Sequence, residues 1–205
     1  MLIHCKDYTP DQVYFLMIQA IIPRPIAWVL SDNGDSTYNL APFSFFNGVA
    51  AEPPLLMISV GYKDDGSRKD TWVNIEERDD FVVHIPPTEF AHQMVDSAIS
   101  LPHGKSELDR LDMKLETVEG SRLPRLAGPR VAMFCEKYAI YEVGDDKQGL
   151  ILGEIKQIWL DDAAAHIQGK RIVVDPVMVD PVARLGGSGY SKIGEILNYK
   201  RPEAK

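Results

Sequence analysis

Apolar and polar positions alternate along the chain in a way that separates a few helices from many strands. Over residues 9–22, Val13, Leu16, Met17 and Ala20 recur at helical spacing. Thr9-Pro10-Asp11-Gln12 stands ahead of them as a capping box, with a hydroxyl at the cap, proline in the first turn and glutamine three residues on. This predicts a helix with one apolar face, ended by Pro23 and Pro25. The run 26–30 predicts a buried strand, Asn33-Gly34 a hairpin turn, and 37–41 the return strand. Pro42 is expected to interrupt that strand, because proline cannot donate to a ladder. Residues 55–60 form a continuous apolar run typical of a core strand. A polar loop over 63–70 leads into a short helix near 71–77. Another strand covers 81–85 and stops at Pro86-Pro87, and Thr88 then caps a helix reaching about residue 98.

Residues 101–130 carry no clear period and are rich in proline, glycine and charge. They read as an excursion on the surface, with a short helix around 106–111. Strands resume at 131–143 and 150–160, joined by a loop of turn formers, and 171–174 is a short final strand. Six or seven strands with few, short helices predict a mainly β protein, a β-barrel with peripheral helices. Crossover helices between strands are mostly missing, which argues against a parallel βαβ sheet.

Composition narrows the function. A chain of 205 residues suits one domain over 1–205 and buries enough surface to fold without disulfides or metal. Its net charge of −8 opposes binding to nucleic acid and to anionic membranes. Cys5 and Cys135 form no metal or redox pattern, and no apolar leader or spanning run is seen, so the expected location is the cytoplasm. P-loop, Rossmann, zinc-protease and nucleophile-elbow patterns are all missing, and the five histidines are scattered.

Three stretches could bind a ligand. Ser67-Arg68-Lys69-Asp70-Thr71 runs into a helix and offers two cations, two hydroxyls and the unspent N–H groups of a helix start, which suit a phosphate. It reads as well as a solvated loop with Asp70 as N-cap. Residues 39–47 mix phenylalanines, small residues and amides, either to line a flat heteroaromatic ring or to fill a core. The tail Gly186-Gly187-Ser188-Gly189-Tyr190 allows close approach to a ligand, or a simple chain reversal.

These stretches also carry a resemblance. Arg24-Pro25-Ile26-Ala27-Trp28-Val29, residues 39–47, Glu52-Pro53-Pro54-Leu55 and Lys69-Asp70-Thr71-x-x-Asn74-Ile75 occur in that order. Leu152-Gly153-Glu154-Ile155 and Arg184-Leu185-Gly186-Gly187-x-x-Tyr190 follow. The ordered set, over about residues 8–197, resembles the flavin reductase-like, FMN-binding split-barrel family, and its flavoredoxin-like branch more than short reductase components. The resemblance implies a Greek-key split barrel, a homodimer and noncovalent FMN near the dimer interface. By position, Lys69, Asp70 and Thr71 would lie near the phosphate with Arg68 close by. Asn39, Ala41 and Ser44 would line the isoalloxazine edge, Ser59 and Gly61 the ribityl chain, and Tyr190 the ring or nicotinamide entrance. Ser188-Gly189 stands where relatives often carry a larger polar or aromatic residue. The implied activity is an FMN-binding oxidoreductase, either an NAD(P)H-dependent flavin or ferric reductase or a flavoredoxin-type electron carrier. Such chemistry belongs to the flavin and requires no catalytic dyad in the protein.

Overall fold

The computed structural model describes residues 1–200 and 202. In chain order, α1 (Pro10–Ala20) is followed by β1 (Arg24–Pro25), β2 (Ala27–Asp32), β3 (Tyr38–Phe43), β4 (Phe46–Ala51) and β5 (Pro54–Val60). Then come α2 (Asp70–Arg78), β6 (Asp80–His84), α3 (Ala91–Asp96), β7 (Leu115–Glu116) and β8 (Arg125–Leu126). The long strands β9 (Val131–Val143) and β10 (Gln148–Leu160) lead to β11 (Ala165–Gln168), β12 (Arg171–Val174), α4 (Pro176–Val179), β13 (Ala183–Arg184) and β14 (Tyr190–Ser191).

Seven strands form one antiparallel sheet in the order β3-β2-β6-β9-β10-β5-β4. Its first and last members are joined by only Ser44-Phe45, so the sheet must curl until its ends approach. The Ser59 N–H donates to the Phe45 carbonyl at 2.9 Å where they meet. Strand alternation divides the apolar residues between two cores. Val29, Ile58, Phe81 and Ile151 point inside the barrel with Trp72 and Ile75 of α2. Trp28, Leu30, Val82 and Phe134 point outward. Because both faces of β2 are covered, the segment reads as an unbroken apolar run. A Cβ on Gly153 would stand 2.3 Å from the Phe81 ring, so glycine lets that ring lie against β10.

Three expectations need correction. Pro42 does not interrupt β3. It pairs with Trp28 on an edge strand, where the proline's missing N–H faces away from the ladder. Residues 101–130 are not a mere surface excursion: Leu123 and Leu126 are buried, and Leu108, Leu111 and Met113 pack with them over the outer face of the sheet. The apolar face of α1 is not buried by this chain, since only Ile18 of that helix is enclosed. The capping box of α1 does form, with Thr9 and Gln12 each accepting the other's backbone N–H.

His84 lies fully inside, with Nδ1 donating to the Trp28 carbonyl and Nε2 accepting from the Leu126 N–H. Both nitrogens serve as holding points for the neutral ring, and burial pushes its pKa down to about 4.

Candidate functional site

The cleft lies where α2 meets the edge of β3. Asn39 and Thr71 are both buried, and the Asn39 Nδ2 donates to Thr71 Oγ1 at 2.8 Å. That bond occupies an acceptor position of the hydroxyl and leaves its O–H free to donate. One turn further on, Asn74 donates to Ser31 and Asn33, fixing the angle of α2 against the β2–β3 hairpin. The helix therefore starts at a defined height above β3.

Lys69 takes the N-cap position of α2 in extended conformation, with no side-chain cap. Among the described residues, none accepts from the N–H groups of Asp70 or Thr71, the first two donors of the helix. Asp70 does not cap the helix. Its carboxylate accepts from Lys63 Nζ at 2.9 and 3.0 Å and lies 2.7 Å from His103 Nδ1. Lys63 also donates to the Leu101 carbonyl, which ties the polar loop to the 101–130 segment. Among the described residues Lys69 makes no ion pair, and its ammonium lies 5.9 Å from the Phe43 ring. Although Lys69 is exposed as a residue, crowding by the cleft walls lowers its pKa from the ordinary lysine value, with Asp64 pulling the other way. One free cation, two unspent N–H groups and one hydroxyl therefore converge without a partner. That donor set matches a phosphate monoester.

Asn39, Ala41, Lys69, Asp70 and Thr71 line this one cleft together. Gly61 adjoins it, its carbonyl accepting from the Lys69 N–H at 3.4 Å. Ser59 lies on β5, paired with Leu150. Ser44 directly follows Phe43, the last residue of β3, whose ring is the one the Lys69 ammonium approaches, but Ser44 does not line the cleft. Its hydroxyl is 3.5 Å from Arg24 Nε. Tyr190 belongs to the small β1-β13-β14 sheet, under the Arg184 guanidinium at 4.5 Å. It packs on the outer core and does not line the cleft. Gly187 there adopts φ +60° in the reversal between β13 and β14. Arg68 turns away from the cleft. It lies over Trp72 at 4.4 Å and bonds Glu76 and Glu142.

Sequence reasoning did not single out Lys63, His103 or Glu107. Lys63 was visible as a third cation of the same polar loop. Glu107 lines the cleft, is buried, and accepts from the Leu40 N–H at 2.8 Å. Its one local signal is Ser106, whose side chain caps the turn Glu107–Asp109.

The ordered motifs, the curled seven-stranded sheet and this cleft agree with what comparison finds. Residues 19–172 match the flavin reductase like domain, and the chain belongs to that family of flavin-binding oxidoreductases. Among particular relatives, an uncharacterised protein of Aquifex aeolicus is 34% identical over 187 residues, covering 91% of this chain and 93% of its own. Nitrilotriacetate monooxygenase component B of Bacillus cereus superposes with a TM-score of 0.88 at 30% identity, over 97% of this chain and 98% of that one. The 2-nitrobenzoate 2-nitroreductase NbaA of Pseudomonas fluorescens gives 0.85 at 29% identity, over 98% and 96%.

Proposed function

We propose that the chain is an FMN-dependent NAD(P)H reductase of flavins or ferric chelates, working as a cytoplasmic homodimer. The observation that carries FMN is the unspent donor set at the start of α2. It meets one terminal phosphate with a lysine, a hydroxyl and two backbone N–H groups. Lys69 supplies the charge, Asn39 holds Thr71 in place, and β3 gives the ligand an edge to lie along. When bound, the flavin supplies the hydride chemistry. The chain's own sulfurs supply no redox pair. Cys135 is buried with its thiol pKa pushed up, and Cys5 is exposed. Electrons therefore come from an outside donor, and a nicotinamide needs only the open face of the flavin ring.

The homodimer reading is supported by α1. Tyr14, Phe15, Leu16 and Met17 on it are between 38% and 54% exposed, and Ile21, Ile22 and Val49 are exposed as well. Tyr14 also stacks edge-on against Phe45 at 6.3 Å, next to the closure of the barrel. So many exposed large apolar side chains on and beside one helix mark an interface, and a second copy would cover them. Sedimentation at micromolar concentration should give twice the chain mass. A monomer that still binds FMN one-to-one would refute the dimer.

To test the activity, the purified chain is loaded with flavin, the flavin is released by acid and separated, and oxidation of NADH and NADPH is followed with free FMN and a ferric chelate. FMN as the retained flavin, with nicotinamide oxidation, supports the reading. FAD as the main retained species refutes the assignment of the phosphate end. Bound FMN with no nicotinamide oxidation refutes the reductase and leaves an electron carrier.

A further inference from the structure

Glu107 is 4% exposed and lines the same cleft as Lys69 and Thr71. Its Oε2 accepts from the Leu40 N–H, the outward amide of an edge strand. The carbonyl oxygen of a neutral carboxyl is the better acceptor for that amide, so a proton on this carboxyl is favoured on Oε1. No other described residue hydrogen-bonds Oε1. The nearest cation is already committed, because Lys63 holds both oxygens of Asp70 and the Leu101 carbonyl.

The charges facing Glu107 come from several elements. Asp70 stands on α2, Lys63 and Lys69 on the loop before it, and His103 on the 101–130 segment. Asp96 of α3 and Arg110 line the hollow on its other side. With Glu107 ionised, the two cleft lysines are cancelled by two carboxylates. With Glu107 neutral, a positive charge is left over for an anionic ligand. Burial pushes the Glu107 carboxyl up to about 7 against the Leu40 N–H and its own backbone N–H, with the Asp70 charge adding a smaller upward push and Lys63 a smaller downward one.

We propose that Glu107 is a ligand-contacting residue of this cleft that meets a phosphate monoester as the neutral acid, so that binding transfers one proton from solvent to Glu107. The neutral carboxyl then presents an O–H donor to the phosphate in the cleft that Lys69 and Thr71 also line. The proposal rests on the FMN reading and adds a residue and a proton to it.

The test is calorimetric titration of the full chain with FMN and with riboflavin at pH 8, in two buffers of different ionisation enthalpy. At that pH the phosphate of FMN, with its second pKa near ~6, is already a dianion and takes up little. The wild type should take up close to one proton per FMN and none per riboflavin. Above pH 7 its FMN affinity should fall by about tenfold per pH unit. Glu107→Gln keeps an acceptor for the Leu40 N–H, and its FMN binding should show no proton uptake and a flat pH profile. His103→Gln should retain the uptake. FMN binding without proton uptake in the wild type, or uptake that persists in Glu107→Gln, overturns the role of Glu107 while FMN binding stands. Uptake lost in His103→Gln and kept in Glu107→Gln assigns the proton to the histidine and overturns the proposal. A wild type that binds riboflavin and FMN equally, or neither, overturns the phosphate-end reading and this proposal with it. An absence of uptake in the wild type overturns the proposal by itself, so the test stands even if the variant folds poorly.

Discussion

Two cations flank β3: among the described residues Lys69 meets no carboxylate, whereas every donor contact of Arg24 is made to oxygens of the chain itself. Arg24 is 5% exposed. Its guanidinium donates to the carbonyls of Ile18 at 2.5 Å, Ile21 at 2.7 Å and Leu185 at 3.1 Å, with the Ser44 hydroxyl at 3.5 Å. Among the described residues no carboxylate balances it, and Arg184 is its direct partner across the ladder. Burial first and then that like charge lower its pKa from the ordinary arginine value. The carbonyl end of α1 supplies the compensating partial negative charge. A buried cation with its donors spent on backbone carbonyls is a clamp, here holding α1, the tail and the barrel closure together. A cation with nothing to bond, beside unspent N–H groups, is a place for a ligand.

The largest effect should follow from breaking the clamp. Arg24→Met leaves three carbonyls without their donor, each costing about 1–3 kcal/mol where it stays dry. Relief of the Arg184 repulsion offsets part of this, so the expected loss is about 3–5 kcal/mol. For a chain of this size that lowers the melting temperature by about 6–20 °C. Thermal unfolding followed by circular dichroism measures it. A loss under about 1 kcal/mol would mean that Arg24 is no clamp and would free it for a ligand role.

Removing the unspent cation should act on the ligand and not on the fold. A charge-assisted hydrogen bond is worth about 1.5–3 kcal/mol, so Lys69→Ala should weaken FMN binding by about 10- to 150-fold. Riboflavin, which lacks the phosphate, should bind nearly as before, and the melting temperature should move little. Fluorescence titration with both flavins decides. Equal losses for FMN and riboflavin would make Lys69 structural and erase the contrast with Arg24.

Much of this contrast was legible in the residues, and the parts that were not have physical reasons. β2 and β6 are continuously apolar because both their faces are covered, and β5, β9 and β10 carry long runs of strand formers, so these strands announce themselves. β1, β7, β8, β13 and β14 have two residues each, too few to carry a period. The 101–130 segment buries its leucines at irregular intervals, so no template finds them. In the cleft, Asn39, Lys69 and Thr71 belong to motifs of ordinary length and converge. Glu107 reaches the same place from a segment with no regular pattern, and only the third dimension shows that Leu40 waits for it. Adjacent arginine and lysine look alike on paper. Their difference lies in Glu142, which is 74 positions from Arg68.

That pair gives the smallest effect and the sharpest control. Arg68 lies one residue before Lys69, yet its guanidinium bonds Glu76 at 2.8 and 3.0 Å and Glu142 at 2.7 Å. The three side chains are 34%, 48% and 38% exposed, so solvent screens both ion pairs. Exposed pairs are worth about 0–1 kcal/mol each, and stacking over Trp72 adds about 0.5–1 kcal/mol. Each contact also orders a long side chain, so Arg68→Ala should cost about 1 kcal/mol in stability, roughly 2–4 °C in melting temperature. Part of that cost should vanish in molar salt, where the screening length shrinks to about 3 Å. FMN affinity should change by less than about threefold, equivalent to about 0.6 kcal/mol. A tenfold loss for FMN, with riboflavin unaffected, would show that Arg68 leaves Glu76 and Glu142 when ligand arrives. The phosphate would then be held by both cations of the loop, and Lys69→Ala alone would underestimate the strength of that end of the cleft.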